Sequence, residues 1–423
     1  MQPERFLTHS LQDRRIARVL NAAIEGVDPA RLVARQLRDL TLPPHSRRFL
    51  LGLGKAAEAM TRAAADTLGS FEAALVITKH RSNEADPQTT VLEAGHPIPD
   101  RRSLAAGRAA LSFVSKLQED DLLVCLVSGG GSALATSPVA GVLLEDLQEL
   151  TSAAMASGAN IEEVNVLRRQ LDQVKGGGLA GATKASIVGL ILSDVIGDRL
   201  EAIASGPTAP NPTGPQEALA VLRKFNMRVP PSIERALRIS APAAVAPVSN
   251  RVRNLIVGNS ALAVSSALRQ ATREGFASEI LDPQLQGEAQ EVGRFLAAKL
   301  AIACRTRARP FCMLAAGETT VTFTTRGTGG RNQELALAAV DILDGTGNCM
   351  LVSLATDGND GPTDAAGAVV TGATRSRAAE FGMTAADYLY RHDAYPFFKA
   401  LGDLLKAGHT GTNVHDLMLL VGL

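Results

Sequence analysis

LLVCLVSGGGS, residues 122–132, joins six consecutive apolar residues to a serine, three glycines and a second serine. A continuous run of Leu, Val and Cys, without polar alternation, is typical of a strand that is covered on both faces of a parallel sheet. Glycines that follow such a strand leave backbone N–H groups available to bind an anion. The segment therefore predicts a parallel sheet with a phosphate-binding loop at the carboxyl end of one strand.

Two further segments also join an apolar run to glycine or small polar residues. Residues 49–56 read FLLGLGKA and residues 187–194 read IVGLILSD, so each passes from an apolar run to glycine or small polar residues. Helical patterns alternate with the apolar runs, which predicts βαβ units and a doubly wound sheet. The predicted strands lie near Phe49 and at 74–78, 91–94, 122–127 and 187–192, and the predicted helices at 11–38, 56–68, 102–117, 143–156 and 161–174.

Length and composition restrict the class of protein. A chain of 423 residues suits about two domains, and an apolar fraction of 46% can bury a sizeable core. Lys plus Arg equals Asp plus Glu, at 43 each, so no general attraction to nucleic acid or membrane is expected. The sequence has no CxxC pair, no apolar signal core near Met1 and no uncharged apolar run of ~18 residues. These features predict a soluble, cytoplasmic protein with reduced cysteines.

The second half of the chain reads as another α/β block. Residues 240–250, SAPAAVAPVSN, fit either an interdomain linker or an ordered extended segment that crosses between domains. The predicted strands beyond it lie at 255–258, 314–316, 319–323, 350–354 and 417–421, with helical stripes around 292–303 and 335–342.

Lys55 follows Gly52 and Gly54 at a predicted strand-to-helix turn. The spacing does not match a Walker A motif, and it makes a weak dinucleotide fingerprint because the third glycine is replaced by Ala57 and no acidic residue ends the next strand. A lysine at a helix start opposes the helix dipole unless an anion offsets it. This conflict favours a functional Lys55, and the alternative is a surface lysine after a tight turn.

Three consecutive glycines after a strand cost more chain entropy than a plain turn requires, which favours a binding loop over a flexible turn. The predicted phosphate-binding residues are Ser128, Gly129, Gly130, Gly131 and Ser132, together with Gly54. A second triple, at 176–178, follows a helix, and a helix end with a chain reversal explains it equally well.

Two aspartates follow predicted strands. Asp194 comes directly after the third apolar run, where side chains of a parallel sheet face the ligand crevice. It is predicted to hold Mg²⁺ or to orient a substrate hydroxyl group, and its alternative role is an N-cap. Asp357 opens DGNDGPTD, which lacks the glutamate of a calcium loop because Ala368 stands at the twelfth position. We interpret that segment as an acidic turn that is either structural or a contact for metal or substrate.

Arg331 and Asn332 follow a glycine-rich turn before a predicted helix, in GTGGRNQE at 327–334. Arginine suits a planar anion such as a carboxylate, so both residues are candidates for substrate binding, and a hairpin turn is the alternative. His96 lies in the rigid loop GHPIPD at 95–100. It either orders this loop by a hydrogen bond or contacts the ligand.

Taken in order, the motifs resemble those of the MOFRL family of glycerate 2-kinases, also called class II glycerate kinases, over nearly the whole chain. The matching segments lie at 53–56, 95–100, 128–133, 165–168, 175–180, 193–198, 204–208, 330–334, 355–358 and 411–414. The resemblance implies an α/β protein of two three-layer α/β/α domains with an interdomain cleft. Residues 1–243 would form a Rossmann-like domain with a mainly parallel sheet, and residues 244–423 a MOFRL-type domain with a mixed sheet.

The resemblance also implies the activity. It implies that ATP, with Mg²⁺, phosphorylates D-glycerate to 2-phosphoglycerate in the interdomain cleft, with Lys55 and Arg331 as active-site residues. In this interpretation the Ser128–Ser132 loop holds the nucleotide phosphates, and domain closure excludes water. Arg331 holds either the glycerate carboxylate or the γ-phosphate. The partners are then small molecules, not nucleic acid or membrane. Whether two copies of the chain form a homodimer is left open by the sequence.

Two other functions are compatible with the glycine loops. Family members are often labelled hydroxypyruvate reductases, and the Gly52–Gly54 pair gives some support to an NAD(P)-dependent reductase. The absence of an acidic ribose partner argues against that activity. A non-catalytic sensor of nucleotides or sugar phosphates would have similar loops, but Lys, Arg and Asp accompany them here in a way that favours catalysis.

Overall fold

The computed structural model describes residues 2–81, 87–239, 250–323, 325 and 327–423. These residues form two units. The parallel-sheet unit comprises Pro29–Val257, and the mixed-sheet unit comprises residues 2–28 together with Gly258–Leu423. This division differs from the contiguous domains 1–243 and 244–423 that the resemblance implies, because the N-terminal residues pack with the C-terminal half. The predicted linker lies, up to residue 249, outside the described residues.

In chain order the described strands are β1 (Arg48–Leu53), β2 (Ala73–Thr78), β3 (Thr89–Glu93), β4 (Leu122–Val127), β5 (Ser186–Leu192), β6 (Val252–Gly258), β7 (Ala277–Glu288), β8 (Phe311–Thr320), β9 (Cys349–Ala355), β10 (Gly367–Thr371), β11 (Leu404–Leu405) and β12 (Asp416–Gly422). The helices are α1 (Arg14–Glu25), α2 (Pro29–Asp39), α3 (Ala57–Leu68), α4 (Arg101–Ser115), α5 (Gly131–Leu134), α6 (Leu144–Ala156), α7 (Ile161–Leu171), α8 (Gly178–Gly181), α9 (Pro215–Lys224), α10 (Pro231–Ile239), α11 (Ser260–Arg273), α12 (Ala289–Thr306), α13 (Arg331–Leu343), α14 (Thr374–Glu380), α15 (Ala385–Tyr390) and α16 (Ala394–Leu401).

The parallel-sheet unit is built on a six-stranded sheet in the order β3-β2-β1-β4-β5-β6. All pairings from β3 to β5 are parallel. Every residue of β4 is buried, as expected for an apolar run with both of its faces covered. The predicted doubly wound arrangement is confirmed. The strand predicted at 255–258 is part of β6 and lies at the edge of this sheet, so its assignment to the second block was wrong.

The chain changes direction across this sheet between β1 and β4, which are neighbours. From β1 it proceeds outward through β2 and β3, and from β4 it proceeds the other way to β5 and β6. Leu53 is paired with Val127, so β1 and β4 end at the same level. The loops that follow β1 and β4 therefore begin side by side, at the position where ligands bind in open parallel sheets.

The mixed-sheet unit contains a second sheet, in the order β11-β10-β9-β12-β8-β7. Only the β7–β8 pair is parallel among the described pairings, and the others are antiparallel, so the predicted mixed sheet is confirmed. Buried residues of α1 and α11 share one apolar core with this sheet, including Ile16, Leu20, Val264 and Leu314. This core explains why residues 2–28 belong to the second unit.

One strand of the mixed sheet corrects the sequence interpretation. Two strands were predicted at 314–316 and 319–323, separated by Gly317 and Glu318, but β8 runs without a break through both residues. A side chain at Gly317 would place Cβ only 1.9 Å from the carbonyl oxygen of Leu285 on β7. The glycine therefore permits close approach of two strands and does not end one.

The cysteines are free, and Cys125, Cys312 and Cys349 are buried. Burial raises the pKa of the Cys125 and Cys312 thiols to about 12, so these groups stay protonated. Separately, the part of the chain that the structure describes contains no helix with the length and apolarity needed to cross a membrane.

Candidate active site

The loops after β1 and β4 are packed directly on one another, and Gly54 makes this contact possible. Its φ is +127°, a backbone conformation that side chains disfavour. A Cβ at this position would lie 2.3 Å from Ser128 Oγ and 2.4 Å from the Ser128 carbonyl oxygen. Gly54 is therefore required for the two loops to meet.

Two hydrogen bonds hold the start of α3 against the second loop. The backbone N–H of Lys55 donates to the carbonyl oxygen of Gly129 at 2.9 Å. The backbone N–H of Ala56 donates to Ser128 Oγ at 3.0 Å. The side chain of Lys55 is exposed, and these two bonds fix the backbone that carries it.

The glycine loop itself carries a row of unused donors. Within the described part of the chain, the backbone N–H groups of Gly129, Gly130, Gly131 and Ser132 donate to no acceptor. Gly129 and Gly131 are buried, and a buried N–H group without an acceptor is costly. Successive donors of this kind form a concave anion-binding nest, which we call the N–H nest.

His96 lies beside the nest and beside Lys55. A Cβ built on Gly130, whose φ is +86°, would lie 3.2 Å from His96 Nε2 and 3.3 Å from Lys55 Cγ. Burial, together with the charges of Lys55 and Lys79, lowers the pKa of His96 to about 4. His96 is therefore a neutral imidazole at pH 7. The structure brings three predicted residues together here, Lys55, His96 and Gly130.

Sequence reasoning assigned no role to the residues that support the far end of the nest. Ser205 Oγ donates to Asn165 Oδ1 at 3.0 Å, so the 2.8 Å contact between Ser132 and Ser205 has Ser132 as its donor. Ser205 is buried and has a φ of +59°. Both Asn165 and Ser205 lie in segments that carried the family resemblance, which was the one available signal.

Asp194 follows β5 at the same edge of the sheet, two residues after the last residue of the strand, and is half-buried. No three His, Cys, Asp or Glu side chains are grouped so that they could hold a metal ion, as far as the described residues extend. Mg²⁺ does not need such a group, because it is commonly bound through one or two carboxylates together with water and substrate phosphates. The position of Asp194 fits one such ligand.

In the mixed-sheet unit, Asp360 caps the start of α13. Its carboxylate accepts hydrogen bonds from the backbone N–H groups of Asn332 at 3.1 Å and Gln333 at 2.9 Å. Burial raises the pKa of Asp360 to about 6, aided by Asp416 and opposed by these hydrogen bonds. The side chain of Asn332 is buried between Asp360 and Ser353, which donates to it at 2.6 Å. Asn332 therefore has a structural position, and we do not propose it as a substrate contact.

Arg331 is held by two carboxylates. Its Nε and Nη2 donate to Asp416 at 2.6 and 3.0 Å, and its Nη1 donates to Glu318. Burial would lower the pKa of Arg331, but Asp416 and Glu318 raise it, so the guanidinium is always charged. Three of its five N–H groups are used in these bonds, which leaves two for other acceptors.

His415 was missed in the sequence and lies beside this cluster. It is 3% exposed, and neither ring nitrogen has a hydrogen-bond partner among the described residues. Its Nε2 lies 3.7 Å from Glu318. The neighbouring segment 411–414 belongs to the resemblance, but no charge or spacing in the sequence distinguishes His415.

The acidic residues of the 357–364 segment do not converge on one point. Asp357 is half-buried and accepts a hydrogen bond from the N–H of Asn359 at 3.0 Å, whereas Asp360 is the buried cap of α13. Asp364 accepts from Lys406 and Tyr395 on the surface. The predicted contacts of Asp357 stay a prediction, as does the expected meeting of Lys55 with Arg331 in an interdomain cleft.

Known proteins match nearly the whole length of the chain. A family described as "Domain of unknown function (DUF4147)" matches residues 15–238, and the MOFRL family matches residues 311–416. The D-glycerate 2-kinase of Thermotoga maritima is 40% identical over 95% of this chain and 96% of its own length. The glycerate 2-kinase of Pyrococcus horikoshii is 37% identical, with 96% of each chain covered. The crystal structure of the Thermotoga maritima glycerate kinase covers 96% of this chain and 98% of its own, with a TM-score of 0.88.

Proposed function

The chain belongs to the glycerate kinase family, with the DUF4147 and MOFRL parts in order, and we propose that it transfers the γ-phosphoryl group of ATP to the 2-hydroxyl of D-glycerate. The observation that carries the proposal is the packing of the β1 and β4 loops. This packing brings the side chain of Lys55, at Cγ, beside Gly130 of the N–H nest, at the switch point of a parallel sheet.

The chemistry of phosphoryl transfer explains this arrangement. The transition state needs alignment of the reacting groups and neutralisation of charge, and it requires little covalent participation from the protein. The N–H nest would bind nucleotide phosphate oxygens, because each of its donors otherwise lacks an acceptor. Lys55 would stabilise negative charge on the transferring group, since its backbone is fixed by the bond to Gly129.

Magnesium and the second cation complete the proposal. We assign Asp194 as the carboxylate ligand of Mg²⁺, which would neutralise phosphate charge when bound. We retain Arg331 as a catalytic cation that acts through the two N–H groups left by Asp416 and Glu318. His96, which is neutral at pH 7, would accept or donate a hydrogen bond next to the phosphates and add no charge.

The test is product analysis. The purified protein is incubated with ATP, MgCl₂ and D-glycerate, and phosphorus NMR distinguishes 2-phosphoglycerate from 3-phosphoglycerate. We expect the 2-isomer, and none when L-glycerate replaces D-glycerate or when Mg²⁺ is chelated. Formation of the 3-isomer alone would contradict the assigned position, and the absence of any phosphoglycerate would contradict the activity.

The reductase alternative is tested in the same preparation. NADH with hydroxypyruvate should show neither fluorescence change on mixing nor oxidation, because the strand after the Lys55 loop, β2, ends in Thr78 and is followed by Lys79 and not by an acidic ribose partner. Stoichiometric NADH oxidation would replace the kinase proposal with the reductase.

A further inference from the structure

A cavity of the parallel-sheet unit adjoins the N–H nest, and apart from Ser132 its lining takes no part in the phosphate contacts proposed above. It encloses roughly 340 Å³, a volume that includes space open to solvent. Its polar lining consists of Ser132, Thr136, Thr151, Arg168, Asp172 and Lys175, and leucines of α6 supply apolar walls. Ser132 is thus shared between the nest and this cavity.

Lys175 and Asp172 form a buried pair at the cavity wall. Lys175 Nζ donates to the Asp172 carboxylate and also to the carbonyl oxygen of Ala135 at 3.2 Å. The same carboxylate accepts hydrogen bonds from Thr136 Oγ1 and from the N–H groups of Ser137 and Val174. Because the pair is neutral and its carboxylate is fully engaged, it forms a fixed wall of the cavity.

Arg168 is the unpaired charge of the cavity. Its guanidinium makes no hydrogen bond or ion pair with any residue that the structure describes, although the side chain is half-buried. Burial lowers the pKa of Arg168, and the charge of Asp172 opposes this effect. A partly desolvated guanidinium with five donors and no acceptor needs an anionic partner.

Arg169, the next residue on the same helix, has a structural role. Arg169 donates to Asn211 Oδ1 at 2.9 Å, to the carbonyl oxygen of Glu201 at 3.2 Å and to Thr213 Oγ1 at 3.2 Å. The guanidinium of Arg169 is therefore hydrogen-bonded to other residues of the protein. The contrast indicates that Arg168 is kept available for a ligand.

The charge and the chemistry of the cavity lining indicate the kind of ligand. Two cations face one carboxylate, so the lining carries one excess positive charge, which suits a monoanion better than a triphosphate. A guanidinium fork matches a planar carboxylate with two parallel hydrogen bonds. The lining contains no aromatic residue on which a nucleotide base could stack.

We infer that this cavity is the acceptor subsite, in which Arg168 binds the carboxylate of a small hydroxy acid next to the nest at Ser132. The inference rests on the proposed function for the identity of the acid, and it assigns carboxylate recognition to Arg168 instead of Arg331. With the carboxylate in the cavity, the hydroxyl carbons of a three-carbon acid would extend toward Ser132 and the phosphate-binding nest.

The experiment measures binding, so it does not depend on turnover. Isothermal titration calorimetry in the presence of ADP compares D-glycerate with D-glyceramide, its uncharged amide, on the wild type and on Arg168→Gln. We expect the wild type to prefer the acid and the variant to bind it about tenfold or more weakly, with the preference lost. The affinity for ADP should stay unchanged. Arg168→Lys, which keeps the charge but loses the fork, should give an intermediate loss.

The matched control is Arg199→Gln. Arg199 is an exposed arginine of the same unit that pairs with Glu162, so the variant removes one positive charge away from the cavity. It should leave both affinities unchanged, and circular dichroism and thermal melts establish that all variants are folded. Unchanged D-glycerate binding in Arg168→Gln, or an equal loss of ADP binding, would overturn the inference. A wild type that binds D-glycerate through Arg168 but forms no phosphoglycerate would instead contradict the proposed function.

Discussion

Asp416 receives two parallel hydrogen bonds from Arg331, from Nε at 2.6 Å and from Nη2 at 3.0 Å. Asp416 is buried, and burial raises its pKa while the charge of Arg331 lowers it. Glu318 holds the remaining side of the guanidinium. The plane and charge of Arg331 are therefore fixed within the mixed-sheet unit before any ligand arrives.

This pair makes the stability of Arg331 variants predictable. Arg331→Met should lower the free energy of unfolding by about 3–5 kcal/mol, because it leaves the buried carboxylate of Asp416 without a partner. The double variant Arg331→Met/Asp416→Leu should recover much of this loss. Urea denaturation of wild type, both single variants and the double variant gives the coupling energy. If the changes in unfolding free energy of the two single variants simply add up in the double variant, the two residues are not coupled. Because Arg331 variants are expected to lose stability, their activity should be interpreted only after this measurement.

Gly54 provides a second prediction. Gly54→Ala should lower stability by about 2–4 kcal/mol and abolish most kinase activity, because the new Cβ meets the backbone of Ser128. Gly69→Ala is the matched control. Gly69 ends the same helix, α3, with a φ of +76°, but a Cβ added there would meet no other atom within 4 Å. Gly69→Ala should lower the free energy of unfolding by about 1 kcal/mol, through backbone strain alone, and should keep normal activity. Equal effects of the two substitutions would argue against loop packing as the cause.

Much of the parallel-sheet unit could be predicted because strands such as β4 and β5 are continuous apolar runs followed by glycine or small polar residues. β7 of the mixed-sheet unit could not be predicted, because it contains Pro283 and polar residues and depends on its pairing with β8. Gly317 was interpreted as a strand end because close approach of a neighbouring strand is invisible in one-dimensional patterns.

The candidate site was predictable to a similar degree. Lys55 and the glycine loop follow strands directly, and their positions were expected from that fact. Arg168 and Arg169 are adjacent and identical in type, and although the segment 165–168 that carries the resemblance ends at Arg168, no charge or spacing in the sequence shows which of the two is hydrogen-bonded within the protein. Only the positions of Asn211 and Thr213 in space make that distinction.

Lys55 itself should affect the reaction and not the fold. Lys55→Ala should lower kcat by about tenfold or more, because it removes charge stabilisation from the transferring group. The side chain is exposed, so the free energy of unfolding should change by only about 0.5 kcal/mol. Lys79→Ala is the control, because Lys79 is also exposed and also acts on His96 but follows β2, away from the switch point. An unchanged kcat in Lys55→Ala would remove this lysine from the mechanism.

Asp360 should give the protein a recognisable pH dependence. The folded protein holds the Asp360 proton more tightly than the unfolded chain, with a pKa of about 6 against 3.8. Stability from this group is therefore present below pH 3.8 and is lost as the pH rises through 6, by about 3 kcal/mol at most. Asp360→Asn lacks this titration, so it should become more stable relative to the wild type between pH 4 and 7.

The control for this comparison is Asp364→Asn in the same segment. The Lys406 ion pair lowers the pKa of Asp364, so its small contribution has the opposite sign and is lost as the pH falls. Urea denaturation at several pH values measures all three proteins. Parallel curves for the wild type and Asp360→Asn would show that the cap of α13 does not titrate in this range.

His96 reports directly on the occupancy of the proposed phosphate site. Its pKa of about 4 results from burial and from the charges of Lys55 and Lys79. A bound phosphate would offset the charge of Lys55, so the pKa of His96 should rise when ATP is added, although burial keeps it below 6.5. Imidazole carbon NMR across the pH range measures the shift, and the His96→Gln variant assigns the signal. Lys55→Met should raise the pKa without ATP and reduce the further response to the nucleotide, whereas Lys79→Met should raise it and keep that response. A His96 pKa that ATP does not change would place the nucleotide phosphates away from Lys55 and the N–H nest.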